Sequence, residues 1–509
     1  MVRVTNRMWV QVAIGLCLIA AGCSRPAATP TGSLSALTEQ LDEQMSDWLQ
    51  HYRVPGAAVA IVQRGEVIWA KGYGLADVTR GVPVTAETVF QVASISKPVT
   101  AWGAMRLAQQ GHVALDAPVE TYLTRWHLPP SSYNADTVTI RRLLSHSAGL
   151  TVHGYPGLSP EQPLSSLEAS LSGDNGGAGE VRITMEPGAQ YSYSGGGYTL
   201  LQLIIEEVTD ESFSAYMQRE VLEPLEMHHS SFEWRADLHP ATATGYDTAQ
   251  QPYPNYLFTE KAAAGLYTTA PDLARFVAAA MADPSGEPAG QGVLDPDALA
   301  LMVTPVMALP GIEGKLLNVS MGLGYYIETM ADGTRAISHS GSNRGWQIEL
   351  MALPDRGAGI VVLTNSDQGE QIGVEVLNAW GHWLGIGTPA KCKVYQVARS
   401  STLGLAGLLG LGLILKIARL AKKIRYGHRQ WIWQLSVQRK AWHYARLVLS
   451  ILLSAIIAVG WWLVVHPVLS SLVPRQTNWL MLSVGLWCIY GAVTALLRPT
   501  KTVVFSSNS

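Results

Sequence analysis

The stretch Val92-Ala-Ser-Ile-Ser-Lys-Pro-Val99 (VASISKPV) sets Ser94 three residues before Lys97, with Pro98 directly after. Residues one helical turn apart share a face. Proline lacks an N–H and is tolerated only near a helix start, where that donor would be unbonded anyway. The proline therefore places Ser94 close to a helix N-terminus. There the backbone N–H groups and the macrodipole favour negative charge, which suits a developing oxyanion. A serine hydroxyl needs a base to become nucleophilic, and a partly desolvated lysine with a lowered pKa can serve. The same residues also read as a plain serine helix start followed by a solvated lysine. In a chain of 509 residues one Ser-x-x-Lys match is expected by chance, so the rest of the sequence decides.

Two other stretches carry chemistry. In PGAQYSYSGGGYTLLQLIIEEVTD (187–210), Tyr193-Ser194-Gly195 stands just before a helical run. A phenol between a serine and a lysine can share the proton and pass it to a leaving group; the bland alternative is a Gly-rich turn with structural tyrosines. In ISHSGSNRGW (337–346), His339-Ser340-Gly341 stands at the start of a strand. A glycine there lets a substrate backbone approach an edge strand and pair with it; the alternative is a β-turn with an incidental histidine.

Around these stretches the hydrophobic pattern predicts an α/β fold. Leu37, Leu41, Met45, Trp48 and Leu49 follow helical spacing, so 34–51 is expected as an amphipathic helix. AAVAIVQ and EVIWAKGYG, joined by Arg64-Gly65, read as a hairpin, and WQIELMALP, DRG and AGIVVLTN repeat that reading near 346–365. Residues 370–384 look like a second amphipathic helix ending near Gly385. Both chain ends thus supply strands, expected in one antiparallel sheet flanked by terminal helices. Residues 100–330 form a mainly helical inserted lobe, and clefts between such lobes are a usual place for sites.

Charge divides the chain. Residues 1–375 carry every acidic side chain and a net charge of −18, whereas 376–509 carry 15 Lys and Arg and no acid. An acidic folded part followed by a basic, apolar tail is the pattern of a domain tethered to a lipid bilayer. Residues 1–23 read as an export signal, with Arg3 and Arg7 before an apolar run. Cys23 in LIAAGCS leaves two readings open, a lipoprotein cleavage box or a plain signal peptide cut nearby. A linker follows at 24–33, the main domain spans 34–388, a second linker 389–400, and a membrane domain 401–501. Three transmembrane helices are expected, at about 401–418, 447–465 and 479–497. The 416–446 segment holds nine Lys and Arg, so the positive-inside rule sets it in the cytoplasm and 24–400 outside. The flanking apolar runs argue against nucleic-acid binding there. The glycines of LGLAGLLGLG suit close helix packing, within the bundle or in a homodimer. No cysteine lies between 24 and 391, which excludes a disulfide framework or thiol nucleophile in the main domain.

Taken in order, the Ser-x-x-Lys, Tyr-Ser-Gly and His-Ser-Gly elements resemble the serine β-lactamase and penicillin-recognising hydrolase superfamily. They look most like its class C branch, which includes D-amino-acid peptidases and esterases. TIRRLLSHSAGL (139–150) and AAAGLYTTAPDLARF (262–276) extend the resemblance. It implies that Ser94 is the acylated nucleophile, Lys97 its base and Tyr193 the proton-transfer partner. It implies that His339 replaces a family lysine, that Gly341 belongs to the substrate strand, and that the Ser94 and Ser342 N–H groups form the oxyanion hole. The family usually has Asn where Gly195 stands; the glycine removes contacts to the lysine and the acyl amide and is expected to open room beside the acyl group. His146 is expected to be a structural hydrogen bonder, and Asn365 to reach the cleft edge. His228-His229 lacks metal spacing, so neither metal nor cofactor is expected.

The whole layout also resembles membrane-bound prodrug peptidases of the colibactin-activating type. The function implied is a serine hydrolase of the bacterial inner membrane, its catalytic domain outward and its C-terminus cytoplasmic. It would act on a small peptide amide with a D-residue, or alternatively on an ester. A binding receptor that signals through the spans is the competing reading from another class.

Overall fold

The computed structural model describes residues 33–427 apart from 235–241, 283–285 and 287, and, in the tail, chiefly 429–431, 474–495 and 497–499. The expected export signal and lipidation site lie outside the described residues, as does nearly all of the expected span at 447–465. The chain divides into two compact units, one closing at Cys392 and the other taking in the chain from Lys393 onward.

The principal elements of the first unit are α1 (Leu34–Tyr52), β1 (Gly56–Gln63), β2 (Glu66–Asp77), α2 (Ser96–Gln109), α3 (Gly195–Thr209), α4 (Ala270–Ala279), β3 (Arg335–Asn343), β4 (Trp346–Leu353), β5 (Ala358–Thr364) and α5 (Glu370–Leu384). Helix α1 buries Leu37, Leu41, Met45 and Leu49, one stripe at four-residue spacing, and ends where Arg53 turns left-handed at φ 57°. The β1–β2 hairpin closes through Arg64 and Gly65, both with positive φ, as a two-residue turn matched to strand twist requires.

The sheet has nine strands, in the order Val82–Pro83, β2, β1, β5, β4, β3, Tyr326–Thr329, Ser320–Met321 and Met307–Ala308. Every neighbouring pair is antiparallel. The two chain ends meet at its centre, where β1 pairs with β5 from Ala57↔Thr364 to Gln63↔Ala358. Both strands are apolar almost throughout because both faces are covered. On one face lie α1 and α5, joined where the Tyr52 hydroxyl donates to Glu375 at 2.6 Å. On the other, Ala58, Ala60, Val62, Val361 and Leu363 share a core with α2, α3 and α4.

Residues 389–400, expected as a linker, are almost wholly helical: a helix of 36 residues runs over Ala390–Arg425. Its start is held in the first unit, where the Ala390 N–H donates to Glu328 and Lys391 pairs with Glu349 and Glu370. A half-buried ammonium between two carboxylates holds that turn, a long-range effect that local composition hides. Where three spans are expected, this is the one candidate among the described residues that is long and apolar enough to cross a membrane. In the second unit, a helix over Pro474–Ala495 covers most of the expected third span and packs on the first. The Trp487 indole N–H donates to the Leu409 carbonyl at 2.8 Å, and a Cβ on Gly412 would stand 3.2 Å from the Trp487 ring.

Candidate active site

Ala93–Ile95 form a single 3₁₀ turn that runs into α2 and carries Ser94. Ala93 has φ 47°, a left-handed conformation that costs a residue with a Cβ roughly 1 kcal/mol or more. The turn persists because its surroundings hold it. The Val92 N–H donates to Leu266, the Leu266 N–H donates to the Ser96 hydroxyl, and that hydroxyl donates to the Ala93 carbonyl at 2.6 Å. The 262–276 stretch thus braces the nucleophile turn.

Lys97 follows one turn later and is 2% exposed. Its Nζ donates to Ser94 Oγ at 3.0 Å and to the Ala263 carbonyl at 2.8 Å. It has no carboxylate partner among the described residues, and burial pulls its pKa down to about 7. The Tyr193 and Tyr198 ring centroids lie 5.0 and 5.7 Å from Nζ.

Tyr193 hydrogen-bonds Ser94, and burial pushes its phenol above the usual range. Its loop is pinned on both sides by His146. The Ser192 N–H donates to the His146 carbonyl at 2.7 Å, and the Ser194 N–H donates to His146 Nδ1 at 3.1 Å. The His146 ring stacks on Tyr193 at 4.2 Å between centroids. Burial, then the Lys97 charge, holds His146 neutral. Its expected part as a structural hydrogen bonder takes the form of a brace for the tyrosine loop. Ser194 caps α3 by accepting from the Gly197 N–H at 2.9 Å.

Strand β3 is interior at its start and open at its end. Tyr326–Thr329 covers β3 only from Arg335 to Ser338, which leaves His339 to Asn343 unpaired on the side opposite β4. Gly341 has an internal role besides the expected one: a Cβ there would fall 2.2 Å from the Val92 carbonyl oxygen. The glycine lets the strand touch the nucleophile turn. Gly341→Ala is therefore expected to lower stability by roughly 1–3 kcal/mol and to slow any reaction at Ser94, because backbone must move. Thermal unfolding and labelling rate, measured together, check this; an unchanged melting temperature would refute it.

A cavity of about 520 Å³ opens over Ser94. Ser94, Lys97 and Ser342 line it; Tyr193 reaches it through Ser94, whereas His339, Gly341 and Gly195 are not on its wall. His339 is 2% exposed, donates from Nδ1 to the Ser340 carbonyl at 2.8 Å and stacks on Tyr326. Burial, then the Lys97 charge, brings its pKa to about 3, so it is neutral. Gly195 opens no room: a Cβ would stand 3.1 Å from the His153 carbonyl and 3.3 Å from the Tyr155 ring. The space is filled by the 152–155 segment, whose Val152 and His153 carbonyls accept from the Gly196 and Gly195 N–H groups. Asn365 does not reach the cleft edge. It is fully buried, accepts from the Gly56 N–H at 2.8 Å and donates to the Leu75 and Thr244 carbonyls, tying three segments together.

Several wall residues carried no local signal: His153, Gly154, Tyr155, Pro156 and the 176–178 turn. The glycine-rich SGDNGGAG (172–179) marks a loop, but nothing in it says that the loop faces Ser94.

Residues 35–377 match the beta-lactamase family, and the chain belongs to that family. It is 27% identical over 337 residues to a protein of Bacillus subtilis named as the penicillin-binding protein PbpX, covering 65% of this chain and 75% of that one. It is 30% identical over 209 residues to Protein flp of Staphylococcus aureus, and so spans about two fifths (41%) of that relative's length. Among solved structures, the octameric penicillin-binding protein homologue from Pyrococcus abyssi superposes with a TM-score of 0.60 at 26% identity, covering 72% of this chain and 81% of that one.

Proposed function

We propose that the chain is a membrane-anchored serine hydrolase that acts through an acyl-enzyme on Ser94. The observation that carries this is the buried Lys97 amine, 3.0 Å from Ser94 Oγ and with its pKa near 7. At neutral pH a large fraction is unprotonated and accepts the serine proton as Oγ attacks a carbonyl carbon. The backbone N–H groups of Ser94 and Ser342 receive the oxyanion. Tyr193, bonded to Ser94, hands a proton to the departing nitrogen and later relays one from water. The open edge of β3 from His339 to Asn343 suits an extended peptide, and the penicillin-binding names of its relatives favour a peptide with a D-residue. The Ala390–Arg425 helix supports anchoring, with the basic 416–446 segment inside and the hydrolase domain outside.

The test uses the full chain in detergent with N-acetyl-D- and N-acetyl-L-aminoacyl anilides and the matching D-ester. Cleavage of the D-anilide at least about tenfold faster than the L-anilide is expected. Turnover of the ester alone would make it an esterase. An adduct that forms and never leaves would make it a binding receptor.

A further inference from the structure

We propose that Gln202 is a positioning residue for the base: its carboxamide holds the turn whose Ala263 carbonyl aims the Lys97 amine at Ser94. The inference rests on the acyl-enzyme reading and deepens it. Gln202 interrupts an apolar run on α3, between Leu200-Leu201 and Leu203-Ile204-Ile205. It is 3% exposed, and those five neighbours are buried as well. A side-chain amide in such surroundings opposes folding unless both of its ends are hydrogen-bonded. Both are, and to the same turn of chain. Gln202 Oε1 accepts from the Ala262 N–H at 3.0 Å, and Nε2 donates to the Thr259 carbonyl at 3.0 Å. The glutamine thus clips the start of the short helix Lys261–Ala264.

Helix α2 holds the same turn from its other side. Thr100, fully buried, donates to the Ala262 carbonyl at 3.1 Å. Lys97, one turn earlier on α2, donates to the Ala263 carbonyl at 2.8 Å. Residues 262 and 263 are therefore fixed between two helices. Helix α3 clips the Ala262 N–H, and α2 supplies a donor to each of the two carbonyls. Helix α3 also starts two residues after Tyr193, so the clip joins the acceptor of the base to the helix that follows the proton-transfer tyrosine.

The direction of that acceptor matters to the reaction. A neutral amine has two N–H groups and one lone pair. With one N–H engaged by Ala263, the lone pair is turned toward Ser94 Oγ, 3.0 Å from Nζ. As Oγ bonds to the carbonyl carbon of the substrate, the Oγ–H bond breaks and its proton passes to Nζ along that line. The Ala263 carbonyl then holds the ammonium that results, because an acceptor favours the charged form of an amine. A turn freed from Gln202 would tilt and lose both effects. Poorer alignment slows acylation, and an amine without its acceptor gives up a proton at lower pH.

The test follows the rate of fluorophosphonate labelling of Ser94 against pH, on the full chain in detergent, for wild type and Gln202→Met. Methionine keeps the length of the side chain and removes both bonds. The plateau rate is expected to fall about fivefold or more, and the acid limb to move to lower pH by about half a unit. A residue that only stabilises the fold would leave the limb where it is. Thr100→Val removes one bond to the same turn. It is expected to lower the plateau about threefold with the same sense of limb shift, and it is read instead should methionine not fold. A smaller fall on folded protein, or a limb that stays or moves to higher pH, would overturn the proposal. Wild type that labels beside such a variant sinks the Gln202 assignment alone, whereas wild type that fails to label sinks the acyl-enzyme reading and the assignment with it.

Discussion

Ser94→Ala is expected to remove covalent labelling by a fluorophosphonate completely and to cut turnover by at least about 10³-fold. The size follows from what the hydroxyl does. It is the one oxygen that both receives a hydrogen bond from Lys97 and pairs with Tyr193. Among the described residues no other serine shares that position: Ser96 points back to the Ala93 carbonyl and Ser194 caps α3. Without Oγ the site keeps a base and a proton donor but nothing to acylate. Little else should change. Ser94 is only half-buried, and Lys97 keeps its bond to Ala263, so unfolding is expected within about 1 kcal/mol of wild type. Intact mass with and without the reagent decides. A single adduct on wild type and none on the variant is the expected pair. An adduct of equal yield on a folded Ser94→Ala protein would place the nucleophile elsewhere and end the acyl-enzyme reading.

Why this much of the site could be read in advance, and no more, has a physical basis. Ser94 and Lys97 are one helical turn apart and Pro98 fixes where the helix begins, so their meeting is a local matter. The sheet was legible for a similar reason. Periodicity marked α1, the Arg64-Gly65 turn marked the first hairpin, and two apolar runs at opposite chain ends had to share a buried centre. What escaped depends on contacts remote in sequence. Asn365 follows a strand and looks free to face a cleft, yet its amide satisfies backbone groups from three segments. Gly195 looks like an opening, yet the 152–155 segment fills it. His153 has no motif at all; left-handed Val152 and the bare α-carbons of Gly195 and Gly196 bring it to Tyr193. The helical start of 389–400 was not legible because what holds it is remote in sequence: Lys391 lies between Glu349 and Glu370.

Lys97→Met is expected to do two opposite things: cut acylation about 10³-fold or more and raise the stability of the fold. The loss of activity is that of the base. In wild type, acylation requires the neutral amine, so kcat/KM is expected to rise with pH through about 7 and level off above it. The variant lacks that limb, and its residual rate should be flat there. The gain in stability comes from the cost of burying an amine that water would keep charged. Its pKa is 10.5 in the unfolded chain and about 7 in the fold. Between these values the unfolded state holds the proton and the folded state does not, so wild-type stability rises as pH increases from about 7 toward 10.5. The full displacement corresponds to on the order of 5 kcal/mol, most of it still opposing folding at pH 7. Methionine removes that cost but leaves the Ala263 carbonyl without its donor, so a net gain of about 1–4 kcal/mol is expected. Denaturant unfolding of both proteins at pH 7 and pH 10 measures it. The two stabilities should converge at the higher pH as the wild type loses its penalty. A variant less stable than wild type at pH 7 would mean that the amine is paid for elsewhere in the fold, and that its neutral state at Ser94 is not what burial imposes.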